Sequence, residues 1–282
     1  MVKIIECPRD AMQGMETFVP TQKKTDYINH LLQVGFDTID FGSFVSPKAI
    51  PQMKDTIEVL KSLELTDTRS KLLAIVANVR GAQDASEFKE ITYLGFPLSV
   101  SETFQQRNTN KSIEQAMDTL AEIQDICQKQ DKILVTYLSM GFGNPYGDPY
   151  DESVVEEFVD KLVAMEVKII SLADTIGVSN SRNITNLFTS LVPRFPQIEF
   201  GAHLHSNPNG AMEKIESAYL AGCKRFDGAI RGFGGCPMAK DDLVGNIATE
   251  TIIHFFNQKK VNLKLDMEAF DASLRASMEV FH

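Results

Sequence analysis

Several features are scarce in this 282-residue chain, and each shortage closes off a class of protein. The four cysteines, Cys7, Cys127, Cys223 and Cys236, are scattered and form no CxxC pair. That spacing argues against a disulfide framework and fits a reducing compartment. No apolar run approaches the roughly 18 residues that a membrane span requires. The opening MVKIIECPRD lacks the charged-then-apolar pattern of a secretory leader. Both observations predict a cytoplasmic chain with no membrane partner. Positive charge is also short: 28 Lys and Arg stand against 38 Asp and Glu, a net charge of −10. An acidic chain is a poor nucleic-acid binder, although a locally basic pocket can still hold a small anion. No GxGxxG follows the first strand-like segment, which disfavours a dinucleotide-binding open sheet. Low-complexity runs and Pro/Gly/Ser-rich linkers are missing too, so one domain spanning 1–282 is expected.

What is present is regular. Apolar residues make up 43% of the chain and charged residues 23%, enough for a large globular core. Strand-like runs recur at KIIEC (3–7), FDTIDFG (36–42), KLLAIVAN (71–78), ITYLGF (91–96), KILVTYLS (132–139), VKIISLAD (167–174), IEFGAHLH (198–205) and KRFDGAIR (224–231). Between them lie segments with apolar residues at three-to-four spacing, such as DYINHLLQVG, which ends at Gly35, and SIEQAMDTLAEIQDICQKQ, which starts at a Ser112 cap. DESVVEEFVDKLVAM and GAMEKIESAYLAG read the same way, and two more helical segments cover roughly 242–258 and 266–280. Eight strands alternating with helices over a length near the typical ~250 residues predict an α/β fold, a (β/α)8 TIM barrel with additional C-terminal helices.

A barrel places its chemistry at the C-terminal ends of its strands. Polar residues gather there: Arg9, Asp10 and Gln13 after strand 1, Asp40 on strand 2, Tyr137 on strand 5, Asp174 ending strand 6, and Cys236 in the GFGGCP loop after strand 8. His203 and His205 end strand 7, ahead of an Asn-Pro-Asn-Gly segment that reads as a turn. Residues two apart on a strand share a face, so both imidazoles reach the same place. They form either half of a metal site or a hydrogen-bonded pair. In the metal reading Asp10 is the best further ligand and Asn246 could add a carbonyl oxygen, a donor set that suits an octahedral ion such as Mg2+ or Mn2+ better than structural zinc. Arg9 is either a solvated partner of Asp10 or a stabiliser of charge on a substrate oxygen. Lys48, Arg80, Arg107 and Lys111 read first as surface charges.

Six segments together resemble the 3-hydroxy-3-methylglutaryl-CoA lyase family across nearly the whole chain. ECPRDAMQ is similar to the family's GPRDGLQ, and SFVSPKAIPQM to SFVSPKWVPQM; SLADTIGV, GAHLH, GFGGCPMA and GNIATE follow in order and spacing. The resemblance implies a metal-dependent barrel lyase that cleaves an acyl-CoA thioester to acetyl-CoA and acetoacetate by a retro-Claisen reaction. It implies that Asp10, His203, His205 and Asn246 hold the divalent cation. Arg9 would polarise the thioester carbonyl, and Asp40 would stand where the family has a glutamate. Asp174 would touch the substrate, Cys236 would move a proton from a lid loop, and Glu250 would fall on a further glutamate near the site. Gln13, Tyr137 and Asn108 become candidate substrate contacts, and a homodimer is expected, with the last two helices at its interface. The chain departs from the family at Asp40, at Ala11 and Met12, at Ser206 (HLHS for HCHD), at Met238 (GGCPMA for GGCPYA), and at Gln105 and Gln106 in place of basic residues. These departures bear on the acyl group more than on the reaction. A lyase or aldolase for another 3-hydroxyacyl-CoA or 3-hydroxy acid, and a non-catalytic binding paralogue, are the alternatives.

Overall fold

In a computed structural model, which describes residues 1–235 and 244–281, the chain closes an eight-stranded parallel barrel in sequence order. The strands are β1 (Lys3–Glu6), β2 (Thr38–Ser43), β3 (Lys71–Ile75), β4 (Ile91–Ser99), β5 (Ile133–Ser139), β6 (Ile169–Asp174), β7 (Glu199–Leu204) and β8 (Arg225–Gly228). Each falls on a segment expected from the sequence. Pairing of β8 back onto β1, Lys3 opposite Arg225 and Glu6 opposite Gly228, removes the sheet edges. Strands covered on both faces read as continuous buried runs, and β2 and β6 are buried at every residue.

Local chemistry sets the helix ends. Ser112 and Gln115 form a reciprocal capping box at the start of Ile113–Lys129, and Gly35 ends Thr21–Val34 in the left-handed region at φ 79°. After β1, PRDAMQ forms the helix Pro8–Gln13, because Pro8 at its first position supplies a helical φ and needs no N–H. The Asn-Pro-Asn-Gly turn is instead a helix start: Asn207 accepts from the Gly210 N–H and Pro208 opens Pro208–Leu220. The last helices are Thr249–Gln258 and Met267–Val280, the first starting later than expected.

The main core lies between barrel and helices. Inside the barrel, Leu73, Ile75, Tyr93, Val135, Tyr137 and Ile169 of β3 to β6 make a separate apolar cluster. On the β6–β8 side the interior is polar, with Ser171, Arg225 and Asp227 buried.

Candidate active site

The strand ends open onto a cavity of about 320 Å³. Its wall includes Arg9, Asp10, Gln13, Asn108, Tyr137, His203 and His205, with Val45, Ile50, Ile75 and Phe104 as apolar surface. Seven of the eleven described candidate residues therefore meet in one place. Asn246, proposed as a ligand from sequence, stands behind Asp10: its amide nitrogen donates to Asp10 Oδ2 (2.6 Å) and to the Phe233 carbonyl (3.0 Å).

Asp10, His203 and His205 each offer an atom, and the three atoms lie within 4.8 Å of one another. Both ring nitrogens of His205 are buried and lack a hydrogen-bond partner among the described residues. A buried imidazole left in that state costs free energy unless it ligates, so the donor set fits a divalent cation and disfavours the simple hydrogen-bonded pair. Burial pushes the His205 imidazole down to about 4, helped by the neighbouring His203, which keeps it neutral and able to donate its lone pair. Burial acts on His203 in the same direction, but the hydrogen bond and charge of Asp227 outweigh it and raise that imidazole. Burial alone would raise the Asp10 carboxyl; Arg9, then the two imidazoles and the Asn246 amide, hold it at about 2.

Arg9 is gripped from three sides. Nε and Nη2 donate to Asp40, with Nη2 to Oδ2 at 2.5 Å, and Nη1 donates to Asp10 (3.0 Å) and Gln13 (2.8 Å). Gln13 returns a bond to Asp10 (2.7 Å), which locks the helix's three polar residues together. Asp40 itself is fully buried, grips Arg9 and is not among the residues of the cavity wall. Its carboxyl is raised to about 6 by burial, against the pull of Arg9.

Two other expected catalytic carboxylates also turn away from the cavity. Asp174 accepts from Lys214 (2.9 Å), the Val178 and Ser179 N–H groups and the Ser179 hydroxyl, so both its oxygens are used in folding the strand-6 exit. Glu250 accepts from the Arg231 N–H (3.1 and 3.0 Å), holding a residue whose φ is +64°. Cys236 and Met238 lie outside the described residues. Arg80 pairs with Asp84, Arg107 lies over the Tyr146 ring and Lys111 donates to Thr119, so Arg9 is the one cation in the cavity wall among the described residues.

Sequence reasoning missed three supports. Lys214 donates to Asp174, Gly177 and the His205 carbonyl (2.8 Å), tying the ends of β6 and β7 together. Its position in an amphipathic helix gave no signal. Gly234, at φ +105°, packs so closely that a Cβ there would lie 2.5 Å from Asn246 Nδ2. Asp227, which contacts His203 Nδ1 at 3.1 Å, was legible only as an alternate position in RFDG.

A family model described as HMGL-like matches residues 2–275. Hydroxymethylglutaryl-CoA lyase YngG of Bacillus subtilis (strain 168) is 33% identical, over 92% of this chain and 86% of its own length. The 3-hydroxy-3-isohexenylglutaryl-CoA/hydroxy-methylglutaryl-CoA lyase of Pseudomonas aeruginosa is 30% identical, over 97% and 91%. Among solved structures, an HMG-CoA lyase from Acinetobacter baumannii in complex with coenzyme A and 3-methylmalate superposes with a TM-score of 0.92 at 29% identity, covering 100% of this chain and 92% of that one.

Proposed function

Because the chain belongs to the HMGL-like family, we propose that it is a carbon–carbon lyase that cleaves 3-hydroxy-3-methylglutaryl-CoA to acetyl-CoA and acetoacetate. The observation that carries this reading is the Asp10–His203–His205 cluster, with its unpartnered His205 nitrogens, in one wall with Arg9. Asp10, His203 and His205, with the Asn246 amide behind them, would hold a divalent cation, for which Mg2+ or Mn2+ suits the mixed imidazole and oxygen donors. Bound there, the cation would lower the pKa of a substrate hydroxyl and polarise a neighbouring oxygen.

The chain's own residues do the rest. In the cleavage a base takes the C3 hydroxyl proton as C3–O becomes a carbonyl. The C2–C3 bond breaks and its electron pair moves through C2 onto the thioester oxygen, giving the enolate. Four of the five guanidinium N–H groups of Arg9 are committed to Asp40, Asp10 and Gln13. One N–H of Nη2 is left for the thioester oxygen. Because Asp40 holds the guanidinium rigid in a buried setting, that donor needs no reorganisation as charge develops, the condition under which such a contact accelerates most. C2 then takes up a proton, which we assign to the Cys236 thiol on the strength of the sequence resemblance. Tyr137, Gln13 and Asn108 would contact substrate from the same wall.

The cysteines described here, Cys7, Cys127 and Cys223, are free and buried, which fits a cytoplasmic setting; no described helix is long and apolar enough to cross a membrane. One domain and a homodimer through the last two helices complete the proposal.

The test is acetoacetate release from 3-hydroxy-3-methylglutaryl-CoA by metal-stripped protein, with and without Mn2+, for wild type, His205→Ala and Cys236→Ser. Release that requires Mn2+ and is crippled in both variants is expected. Folded protein that binds Mn2+ but releases no acetoacetate would move the assignment to another 3-hydroxyacyl-CoA.

A further inference from the structure

The polar side of the barrel interior has a role that the cavity residues do not explain. On β8, Arg225 and Asp227 are two apart and face inward together, both buried. On β7, Gly201 and His203 do the same, and Gly201 pairs with Arg225. This places His203 beside Asp227, and Nδ1 meets Asp227 Oδ2 at 3.1 Å. The other face of the imidazole is closed by the edge of Tyr137, with ring centroids 5.4 Å apart and planes at 78°. Asp227 Oδ1 has no hydrogen-bond partner among the described residues, and neither do Arg225 Nε and Nη2, the Tyr137 hydroxyl or Ser171 Oγ. Arg225 Nη1 donates to Glu199 at 3.2 Å and lies 3.9 Å from Asp37 Oδ1. Gly201 keeps this region open: a Cβ there would lie 2.9 Å from Ser171 Oγ and 3.2 Å from Arg225 Cδ. These are donors and acceptors that buried water would bridge.

We infer that Asp227 is the positioning residue of His203, accepting its Nδ1–H so that Nε2 is the nitrogen offered to the cation, and that Arg225, two residues before it on the same inward face, supplies the neighbouring buried positive charge. The inference rests on His203 being a cation ligand. A ligating imidazole gives its second N–H to a carboxylate in many metal sites, and loss of that partner weakens metal affinity by about 10–100-fold. Asp227 and His203 also form a second close cluster, with the Cys7 thiol. The buried Cys7 thiol is turned to the Ile5 carbonyl (3.9 Å).

The experiment is calorimetric Mn2+ titration of the full chain, alongside thermal unfolding of each metal-free protein. Asp227→Asn is expected to fold and to bind Mn2+ about 10–100-fold more weakly, and Arg225→Met to bind it several-fold more weakly. Cys7→Ser is expected to bind as wild type. Wild-type affinity in Asp227→Asn overturns the inference alone, and so does a loss in Cys7→Ser as large as in Asp227→Asn, since that would make Asp227 and Cys7 ligands together. Failure of the wild-type protein to bind Mn2+ overturns the cation reading and this inference with it. Should Asp227→Asn not fold, heteronuclear NMR of the imidazole nitrogens in metal-free wild type decides: Nδ1-protonated His203 supports the assignment, and Nε2-protonated His203 overturns it.

Discussion

Glu6 is the carboxylate whose replacement the structure predicts most sharply. It ends β1, is fully buried, and accepts from the Ile230 N–H (2.8 Å) and the Thr249 hydroxyl (2.5 Å). These contacts join β1 to the exit of β8. Burial outweighs both hydrogen bonds and raises the carboxyl from 4.5 to about 8. The native state therefore holds a proton, between pH 4.5 and about 8, that the unfolded chain has released. Stability must fall as pH rises through that window and level off above it. A gap of about 3.5 pH units, at roughly 1.4 kcal/mol each, caps the penalty at about 5 kcal/mol. Glu6→Gln mimics the protonated side chain. Its amide oxygen still accepts from Ile230, and its amide nitrogen can donate to Thr249 Oγ1. The variant should match wild type in stability near pH 4.5 and exceed it by a margin that grows with pH. Urea unfolding of both proteins at about pH 5 and about pH 8 measures the difference, since groups common to both cancel. An advantage larger by ~1 kcal/mol or more at the higher pH is expected. A difference between the two proteins that does not change with pH would refute the assignment of a buried, protonated Glu6.

Three further substitutions test the supports of the site. Lys214→Met leaves Asp174, 1% exposed, without its counter-charge, and should cost about 3–5 kcal/mol in urea unfolding. Asp40→Asn gives Arg9 a neutral partner in a buried setting; a stability loss of about 3 kcal/mol and a lower kcat are expected, read by unfolding and by acetoacetate release. Gly234→Ala places a methyl 2.5 Å from Asn246 Nδ2 at a φ of +105°, so Mn2+ affinity should drop in calorimetry while the barrel, followed by circular dichroism, stays folded.

Much of this was legible in the sequence because it depends on local pattern. Alternation of short apolar runs with three-to-four spaced segments marks all eight strands, and strand periodicity alone put His203 and His205 on one face. The same logic failed at Asn207–Gly210, read as a turn although Pro208 stands at a first helical position, where proline is favourable. Asp40 lies within β2, Asp174 ends β6 and Glu250 is in the first turn of a helix, yet each is turned to Arg9, Lys214 or the Arg231 backbone.

The sequence by itself determined the barrel, the ends at which its polar groups gather, and the shared face of His203 and His205, since these follow from period and composition. Only the tertiary structure decided which carboxylates face the cavity and which are consumed in holding Arg9 and the strand-6 exit. It alone joined Asp227 to His203 and Glu6 to Thr249, which lie 24 and 243 positions apart. The reason is physical: a buried charge must find a partner wherever barrel closure brings one, and closure pairs groups by register around the ring rather than by proximity along the chain.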